Sequence, residues 1–189
     1  LIEPFGLDEV WADISGCGER SGRSVADEIR LRVKRELGIT VSVGVSFNKV
    51  FAKLGSDYKK PDAVTEFTRL NFRERIWPLP AEELLYVGPA TRRRLRGYGI
   101  RSIGQLASTD ARLLQSWFGK WGLVLRRFAN GEDSSPVTRL GEESVIKSIG
   151  NSTTTPRDLV CCEDAKLVYY MLCESVAERL RESGFLAKT

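Results

Sequence analysis

The sequence predicts an α+β fold in which a small sheet with helices is followed by an all-helical region and the start of a second α+β unit. Residues 39–45 alternate apolar and small side chains with a period of two, which is typical of a strand with one buried face. Residues 25–37 and 165–180 repeat apolar side chains at helical spacing. After residues 77–80, WPLP, the pattern changes to short helical segments separated by glycines. Strands and helices in this order favour a sheet packed by helices.

The first region is predicted to hold four strands and two helices. A pair of short strands, rich in β-favouring apolar residues, surrounds the acidic dipeptide Asp8-Glu9. The first helix has a capping-box-like start at Ser24 and Asp27, and Gly38 stands where a helix ends. The predicted bounds are Ile2–Ser15 for the strand pair, Ser24–Leu37 for the first helix, Ile39–Val45 for the third strand, Asn48–Tyr58 for the second helix and Ala63–Phe67 for the fourth strand.

The later regions are predicted to be mainly helical. The polar stretch Gly131–Gly141 carries turn residues and is interpreted as a linker. One strand and one helix cannot make a stable sheet domain, so we expect the C-terminal unit to be cut short. The predicted helices are Ala81–Leu85, Ala90–Arg96, Ser102–Ser108, Asp110–Asn130 and Glu163–Arg181, and the predicted strand is Ser144–Ser148.

Composition restricts the class of protein. Of 189 residues, 42% are hydrophobic and 29% charged, which is ordinary for a globular protein. There is no run of about 18 apolar residues and no signal peptide, so we expect a soluble cytoplasmic protein without a membrane partner. The chain starts at Leu1 inside an apolar run, and we expect it to be a segment of something longer. The net charge of +4 permits nucleic-acid binding without requiring it.

The residue types also restrict the chemistry. The sequence contains no histidine, which excludes Ser-His-Asp and Cys-His catalysis and histidine zinc sites in this segment. Its four cysteines show no paired C-x-x-C spacing and are interpreted as reduced thiols that are either small buried side chains or incidental. Metal chemistry must therefore use carboxylates, which favour magnesium.

The adjacent carboxylates of Asp8 and Glu9 are the first candidate site. An acidic pair at a turn is most often a solvated loop tip. Here, however, the pair is flanked by apolar strands, and Gly44 with its small neighbours in the third strand would let a backbone or a substrate approach closely. This context strengthens the metal-site interpretation relative to the pair taken alone, and the solvated turn stays open as the alternative.

Two long motifs resemble those of Y-family DNA polymerases. Residues 3–15, EPFGLDEVWADIS, resemble the catalytic motif of the family, and residues 41–61, VSVGVSFNKVFAKLGSDYKKP, match its second palm motif. The resemblance implies that Asp8 and Glu9 are catalytic and hold two Mg²⁺ ions, for which Mn²⁺ can substitute, and that Lys60 meets the triphosphate of the incoming nucleotide. For Lys49, Lys53 and Lys59 we expect at least two to be solvated helix charges.

Two further segments resemble DNA-gripping parts of the same family. Residues 84–95, LLYVGPATRRRL, are similar to a helix-hairpin-helix, whose turn points backbone amides at a phosphate without reading sequence. In that motif Gly88 would allow the turn, and Tyr86 stands where another glycine is usual. Residues 147–159, KSIGNSTTTPRDL, resemble the opening of the little-finger domain. The DNA-binding residues implied are Gly88, Ala90, Thr91, Arg92, Arg93, Lys147 and Ser148.

The resemblance also divides the chain and assigns it an activity. It implies the C-terminal part of a palm in residues 1–77, a thumb in 78–130, a linker in 131–141 and the N-terminal part of a little finger in 142–189. The activity implied is low-fidelity translesion synthesis by a DNA-directed DNA polymerase through two-metal nucleotidyl transfer. Because the fingers and a further metal-binding Asp would precede Leu1, we expect the isolated chain to be inactive.

The partners implied are primer–template DNA, a deoxynucleoside triphosphate and, through a C-terminal tail outside the chain, a sliding clamp. Two alternatives stay open from the residues. A catalytically dead polymerase-like module that binds DNA damage would not need the acidic pair. A helix-hairpin-helix nuclease or repair subunit would leave both palm motifs unexplained.

Overall fold

The structure is a computed structural model that describes residues 1–141 and 146–187. The chain forms two compact units, residues 1–141 and residues 142–189. Unit 1 contains, in chain order, β1 (Ile2–Phe5), β2 (Glu9–Ala12), α1 (Gly22–Leu37), β3 (Val43–Val45), α2 (Lys49–Tyr58), β4 (Val64–Glu66), α3 (Phe72–Ile76), a 3-10 turn (Ala81–Glu83), α4 (Pro89–Gly97), α5 (Ile103–Ser108), α6 (Ala111–Phe118) and α7 (Lys120–Ala129). Unit 2 contains α8 (Cys162–Glu182).

The predicted strand pair around the acidic dipeptide is confirmed. Strands β1 and β2 form an antiparallel hairpin in which Ile2 pairs with Ala12 and Phe5 with Glu9. Gly6 begins the turn with a φ of 78°, a left-handed conformation that favours glycine over residues with a Cβ atom. The turn therefore places Asp8 at its end and Glu9 at the first position of β2.

The second sheet is parallel and shorter than predicted. Strand β3 pairs with β4 from Val43↔Val64 to Val45↔Glu66, and the residues before Val43 lie outside the strand because β4 is only three residues long. The described strands thus form two separate two-stranded sheets rather than one. At Gly44, a Cβ atom would lie 1.8 Å from the carbonyl oxygen of Ala52, so glycine allows α2 to pack directly on β3.

Helix α1 begins at Gly22, two residues earlier than predicted. Its N-cap is Ser21, whose hydroxyl accepts a hydrogen bond from the Ser24 amide at 3.1 Å. The predicted capping box at Ser24 and Asp27 is wrong, because Ser24 already lies in the first turn and Asp27 pairs with Arg23 instead. The predicted end at Gly38 is confirmed by its φ of 71°.

The predicted helix Asp110–Asn130 is two helices. Gly119, with a φ of 63°, separates α6 from α7, and the chain turns back so that Gly122 meets the carbonyl oxygen of Leu114. A Cβ atom on Gly122 would lie 2.3 Å from that oxygen. The break between the two helices was not predicted, because helical periodicity is present on both sides of Gly119. The short helix α3 was not predicted, and it buries Phe72 and Ile76.

One hydrophobic core extends through unit 1. Phe51 and Phe67 from the first region share it with Leu95, Leu106 and Leu125 from the helical region. The division of this unit into a palm and a thumb after residue 77 stays a prediction.

The predicted linker is bound to the first region over residues 131–138, which we name the strap. Asn48 Nδ2 donates to the Gly131 carbonyl at 2.9 Å, and Lys49 Nζ donates to the Pro136 carbonyl at 3.1 Å. The Thr138 amide donates to Glu3 Oε2 at 2.8 Å, while Glu3 Oε1 accepts from Lys49 at 2.6 Å. Glu3 and Lys49 therefore join β1, α2 and the strap in one contact.

Glu3→Gln should loosen the strap, because a charged acceptor of the Thr138 amide is lost. Hydrogen bonds from Lys49 and from the Thr138 backbone lower the pKa of Glu3 below its ordinary value of 4.5. With the folded-state pKa lowered, the contribution is full above the ordinary pKa and is lost as the pH falls through the lowered value. At neutral pH we expect the Thr138 amide of the variant to exchange hydrogen about tenfold faster, as measured by NMR.

In the wild-type chain, the same protection should decline on acidification after correction for intrinsic exchange. Glu19→Gln, which removes an exposed carboxylate elsewhere in unit 1, is the control and should change neither result. Equal exchange rates in Glu3→Gln and wild type at neutral pH would contradict the strap.

Unit 2 is described mainly by α8. The predicted apolar face of α8 is confirmed, because the five residues of that face are half-buried. These five are Ala165, Val168, Leu172, Val176 and Leu180. Two other apolar residues of the helix, Leu167 and Met171, are exposed. Of the predicted strand Ser144–Ser148, residues 144 and 145 lie outside the described residues and 146–148 form no strand.

Among the helices described, none has the length and apolar character needed to cross a membrane.

Candidate active site

The acidic pair lies where the β1–β2 turn meets β2. Asp8 is exposed in the turn, and within residues 1–141 and 146–187 its carboxylate makes no hydrogen bond or ion pair. Glu9 is half-buried, and its Oε1 accepts a hydrogen bond from Lys53 Nζ at 3.0 Å. One carboxylate of the pair is thus open to solvent and the other is held by a cation.

A chain of ion pairs connects Glu9 with Lys60. Lys53 on α2 also donates to Asp57 Oδ2 at 2.6 Å, one helical turn further along. Asp57 Oδ1 in turn lies 2.6 Å from Lys60 Nζ. We name these four residues, Glu9, Lys53, Asp57 and Lys60, the ion-pair chain. It links the predicted metal ligand to the predicted triphosphate-binding lysine.

Burial and hydrogen bonding oppose each other inside the ion-pair chain. Burial alone would lower the pKa of Lys53, but hydrogen bonds to Asp57 and Glu9 outweigh it and raise the pKa. Burial would likewise raise the pKa of Asp57, but hydrogen bonds from Lys53 and Lys60 lower it. Both groups are therefore charged at neutral pH.

The expectation that at least two of the three helix lysines are solvated is wrong. The side chains of Lys49 and Lys53 are only 14% and 17% exposed and are ion-paired to Glu3 and Glu9. Only Lys59 matches the expectation of an exposed charge. Sequence reasoning missed Lys53 and Asp57 as parts of the site. The one local signal was their i, i+4 spacing, which allows a helical ion pair.

The acidic pair fits part of a divalent-cation site. Carboxylate oxygens are the hard ligands that Mg²⁺ prefers. In the part of the chain that the structure describes, no three carboxylate or cysteine side chains are grouped to hold an ion. Asp8 and Glu9 can therefore supply two ligands. Beside Glu9 and Lys53 lies an apolar cleft of about 230 Å³, lined by residues such as Val25 and Val43.

The predicted hairpin turn lies before α4, but the residue with a left-handed backbone conformation is not the predicted Gly88. Tyr86 has a φ of 71°, whereas Gly88, the N-cap, has an ordinary φ of −74°. The prediction that Gly88 allows the turn is wrong, because Tyr86 takes the left-handed conformation. Its ring packs on Trp121 and Phe128, with centroids 5.9 and 6.1 Å away. The first turn of α4 has no side-chain cap, which leaves its amides open to an anion.

The basic run of α4 divides into two pairs. Arg92 and Arg93 are exposed and make no ion pair with any described residue. Arg94 donates to the Trp117 carbonyl and lies over the Phe118 ring, and Arg96 binds Glu82 at 2.6 Å. Arg94 and Arg96 therefore hold the helices together, while Arg92 and Arg93 are available to a ligand.

The other predicted DNA-binding residues are placed as follows. Ala90 and Thr91 lie in the first turn of α4, beside Arg92. Lys147 and Ser148 belong to unit 2, where they are exposed. Next to them, the Gly150 carbonyl accepts a hydrogen bond from Arg179 at 2.7 Å, which attaches this segment to α8.

Comparisons with known proteins identify the same protein family in the first and the last part of the chain. Residues 1–57 match the impB/mucB/samB family, and residues 146–189 match the C-terminal domain of that family. The chain is 54% identical over 192 residues to the DNA polymerase IV of Acetivibrio thermocellus, covering 100% of the chain and 48% of the relative. It is 39% identical over 191 residues to the DNA polymerase IV of Moorella thermoacetica, with 100% and 48% covered. The chain spans about half the length of these curated relatives.

Solved structures show the same likeness. DinB from Sulfolobus solfataricus superposes with a TM-score of 0.65 and 28% identity, covering 72% of this chain and 41% of that one. A post-insertion binary complex of Dbh DNA polymerase has a TM-score of 0.66 and 28% identity, with 72% and 41% covered.

Proposed function

Because the chain belongs to the impB/mucB/samB family of Y-family DNA polymerases, we propose that the protein containing it is a DNA-directed DNA polymerase that copies damaged template. The observation that carries this proposal is the connection of Glu9, the neighbour of Asp8 in the chain, to Lys60 through Lys53 and Asp57. It brings carboxylates for a metal and an ammonium group for a polyphosphate to one end of the β1–β2 hairpin.

In this proposal Asp8 and Glu9 hold Mg²⁺, as two ions that Mn²⁺ can replace. Bound there, the metal would supply charge stabilisation for an in-line phosphoryl displacement. Lys60 binds the triphosphate of the incoming deoxynucleotide, since a compact ammonium group neutralises phosphate charge well. Asp57 holds Lys60 in place until the nucleotide arrives. Catalysis then depends mainly on positioning and electrostatics.

In the same proposal, α4 and the residues Lys147 and Ser148 bind DNA. The open amides of Ala90 and Thr91, with Arg92 and Arg93, are suited to phosphates of the primer–template duplex. Such contacts are independent of base sequence, which is what an enzyme working on damaged template needs. Binding of a sliding clamp and cytoplasmic location stay predictions of the family resemblance.

The test of the proposed function is primer extension by the enzyme that contains this chain. Templated addition of deoxynucleotides that requires Mg²⁺ supports the proposal. DNA binding without any extension, in Mg²⁺ or Mn²⁺, would favour the damage-binding module instead.

Replacing both Arg92 and Arg93 with alanine should weaken DNA binding equally for all sequences. Each arginine is exposed and in no ion pair with a described residue, so its loss removes a phosphate contact and not a structural one. We expect the slope of log K against log salt to fall by about 2 in magnitude in fluorescence anisotropy titrations.

Arg23→Ala, which removes an exposed arginine of α1, is the control and should keep the slope. If the double variant keeps the wild-type slope, α4 is not part of the DNA interface.

A further inference from the structure

The proposed function gives Lys53 no contact with the metal or the nucleotide, yet it is the most buried member of the ion-pair chain. Its side chain is 17% exposed, compared with 31% for Glu9, 40% for Asp57 and 54% for Lys60. Burying an ammonium group is costly unless it is paired. Lys53 satisfies this condition by contacting two carboxylates at once.

The contact with Glu9 differs from an ordinary helical ion pair. Asp57 is one turn away on α2, so that pair is local. Glu9 is 44 positions away in the sequence and on another element. The contact therefore depends on how the β1–β2 hairpin packs near α2, and it fixes one oxygen, Oε1, of a predicted metal ligand.

We propose that Lys53 is a positioning residue of the polymerase site: its ammonium group holds Glu9 and limits the affinity of the acidic pair for a divalent cation. This inference rests on the proposed function, in which Asp8 and Glu9 hold the metal. Lys53 touches neither the nucleotide nor the reacting atoms, and it acts through Glu9.

Loss of the Lys53 charge should raise the affinity for a divalent cation and lower the reaction rate. The three carboxylates of Asp8, Glu9 and Asp57 and the two ammonium groups of Lys53 and Lys60 carry a net charge of −1. Without the Lys53 charge the net value is −2, so a divalent cation should bind about tenfold more tightly. The freed Glu9 carboxylate would no longer be oriented, and a misplacement of about 1 Å can cost about a hundredfold in rate.

The test compares Lys53→Met and Lys53→Arg with wild type in the enzyme that contains this chain. Mn²⁺ is the probe, and electron paramagnetic resonance of free Mn²⁺ measures binding without reference to activity. For Lys53→Met we expect Mn²⁺ affinity to rise about tenfold while kcat for primer extension falls about a hundredfold. Lys53→Arg, which keeps the charge, should bind Mn²⁺ like wild type and recover part of kcat.

Lys59→Met is the matched control, since it removes an exposed lysine at the end of the same helix. It should leave both quantities unchanged. If Lys53→Met does not fold by circular dichroism, Lys53→Gln replaces it, because Gln keeps a hydrogen-bond donor without the charge.

Two results would overturn the inference. One is weaker Mn²⁺ binding together with lower kcat in the uncharged variant, as expected of a lysine that only supports the fold. The other is unchanged binding and unchanged kcat. Asp8→Asn and Glu9→Gln separate this failure from failure of the proposed function: if they lose Mn²⁺ binding, the metal site stands whatever Lys53 does, and if they keep it, the site itself is wrong.

Discussion

Asp8→Asn should abolish Mg²⁺-dependent primer extension by the enzyme that contains this chain, with a rate loss of at least about a thousandfold. The amide keeps the shape of the side chain and removes the charge that would hold the metal. Because Asp8 is exposed and makes no ion pair with a described residue, the change should not alter the melting temperature. Single-nucleotide insertion kinetics and thermal melting together measure both effects.

Glu19→Gln is the control for this prediction, since it also removes an exposed carboxylate and should keep full activity. Activity above a tenth of wild type in Asp8→Asn would remove the metal assignment. Activity lost together with stability would mean that the carboxylate supports the fold.

Gly44→Ala should be the most destabilising glycine-to-alanine substitution in unit 1. Its Cβ atom would lie 1.8 Å from the Ala52 carbonyl oxygen and 2.5 Å from the Ser56 amide nitrogen, both of them backbone atoms of α2. Backbone inside a helix cannot move aside as a flexible side chain can, so α2 would have to separate from β3. We expect a loss of about 3 kcal/mol or more in the free energy of unfolding, measured by urea denaturation.

Because α2 carries Lys53 and Asp57, Gly44→Ala should also disturb the ion-pair chain. The matched control is Gly97→Ala at the end of α4, where a Cβ atom would meet nothing within 4 Å. That change should be neutral or slightly stabilising, because alanine is the better helix former. Equal stabilities of the two variants would contradict the close packing of α2 on β3.

Much of the local structure was predictable because its causes are local. The alternation around Val43, the N-cap at Asn48 and the glycine at Gly38 act over a few residues, and the elements that they predict exist near their predicted places. The predicted helix Ala81–Leu85 is instead a 3-10 turn. The acidic pair and Lys60 were predicted as site residues from motifs at fixed spacing, and this assignment stays a prediction. Where a local signal was ambiguous, as at Ser21 and Ser24, the N-cap was misplaced by three residues.

The contacts that complete the site were not predictable in this way. Lys53 meets Glu9 across 44 positions and Lys49 meets Glu3 across 46, and nothing in the spacing of these residues chooses between solvent and a buried partner. The strap likewise reads as a polar linker until Glu3 and Lys49 are seen to bind it.

By itself, the sequence determined the family, the hairpin that carries Asp8 and Glu9 and most of the helices, since motifs, periodicity and caps depend on neighbours along the chain. Only the tertiary structure decided which lysines are paired, that Tyr86 rather than Gly88 takes the left-handed conformation, and that Arg92 and Arg93 stay open. The physical reason is that burial and ion pairing depend on which elements pack together, and that packing joins residues far apart in the chain.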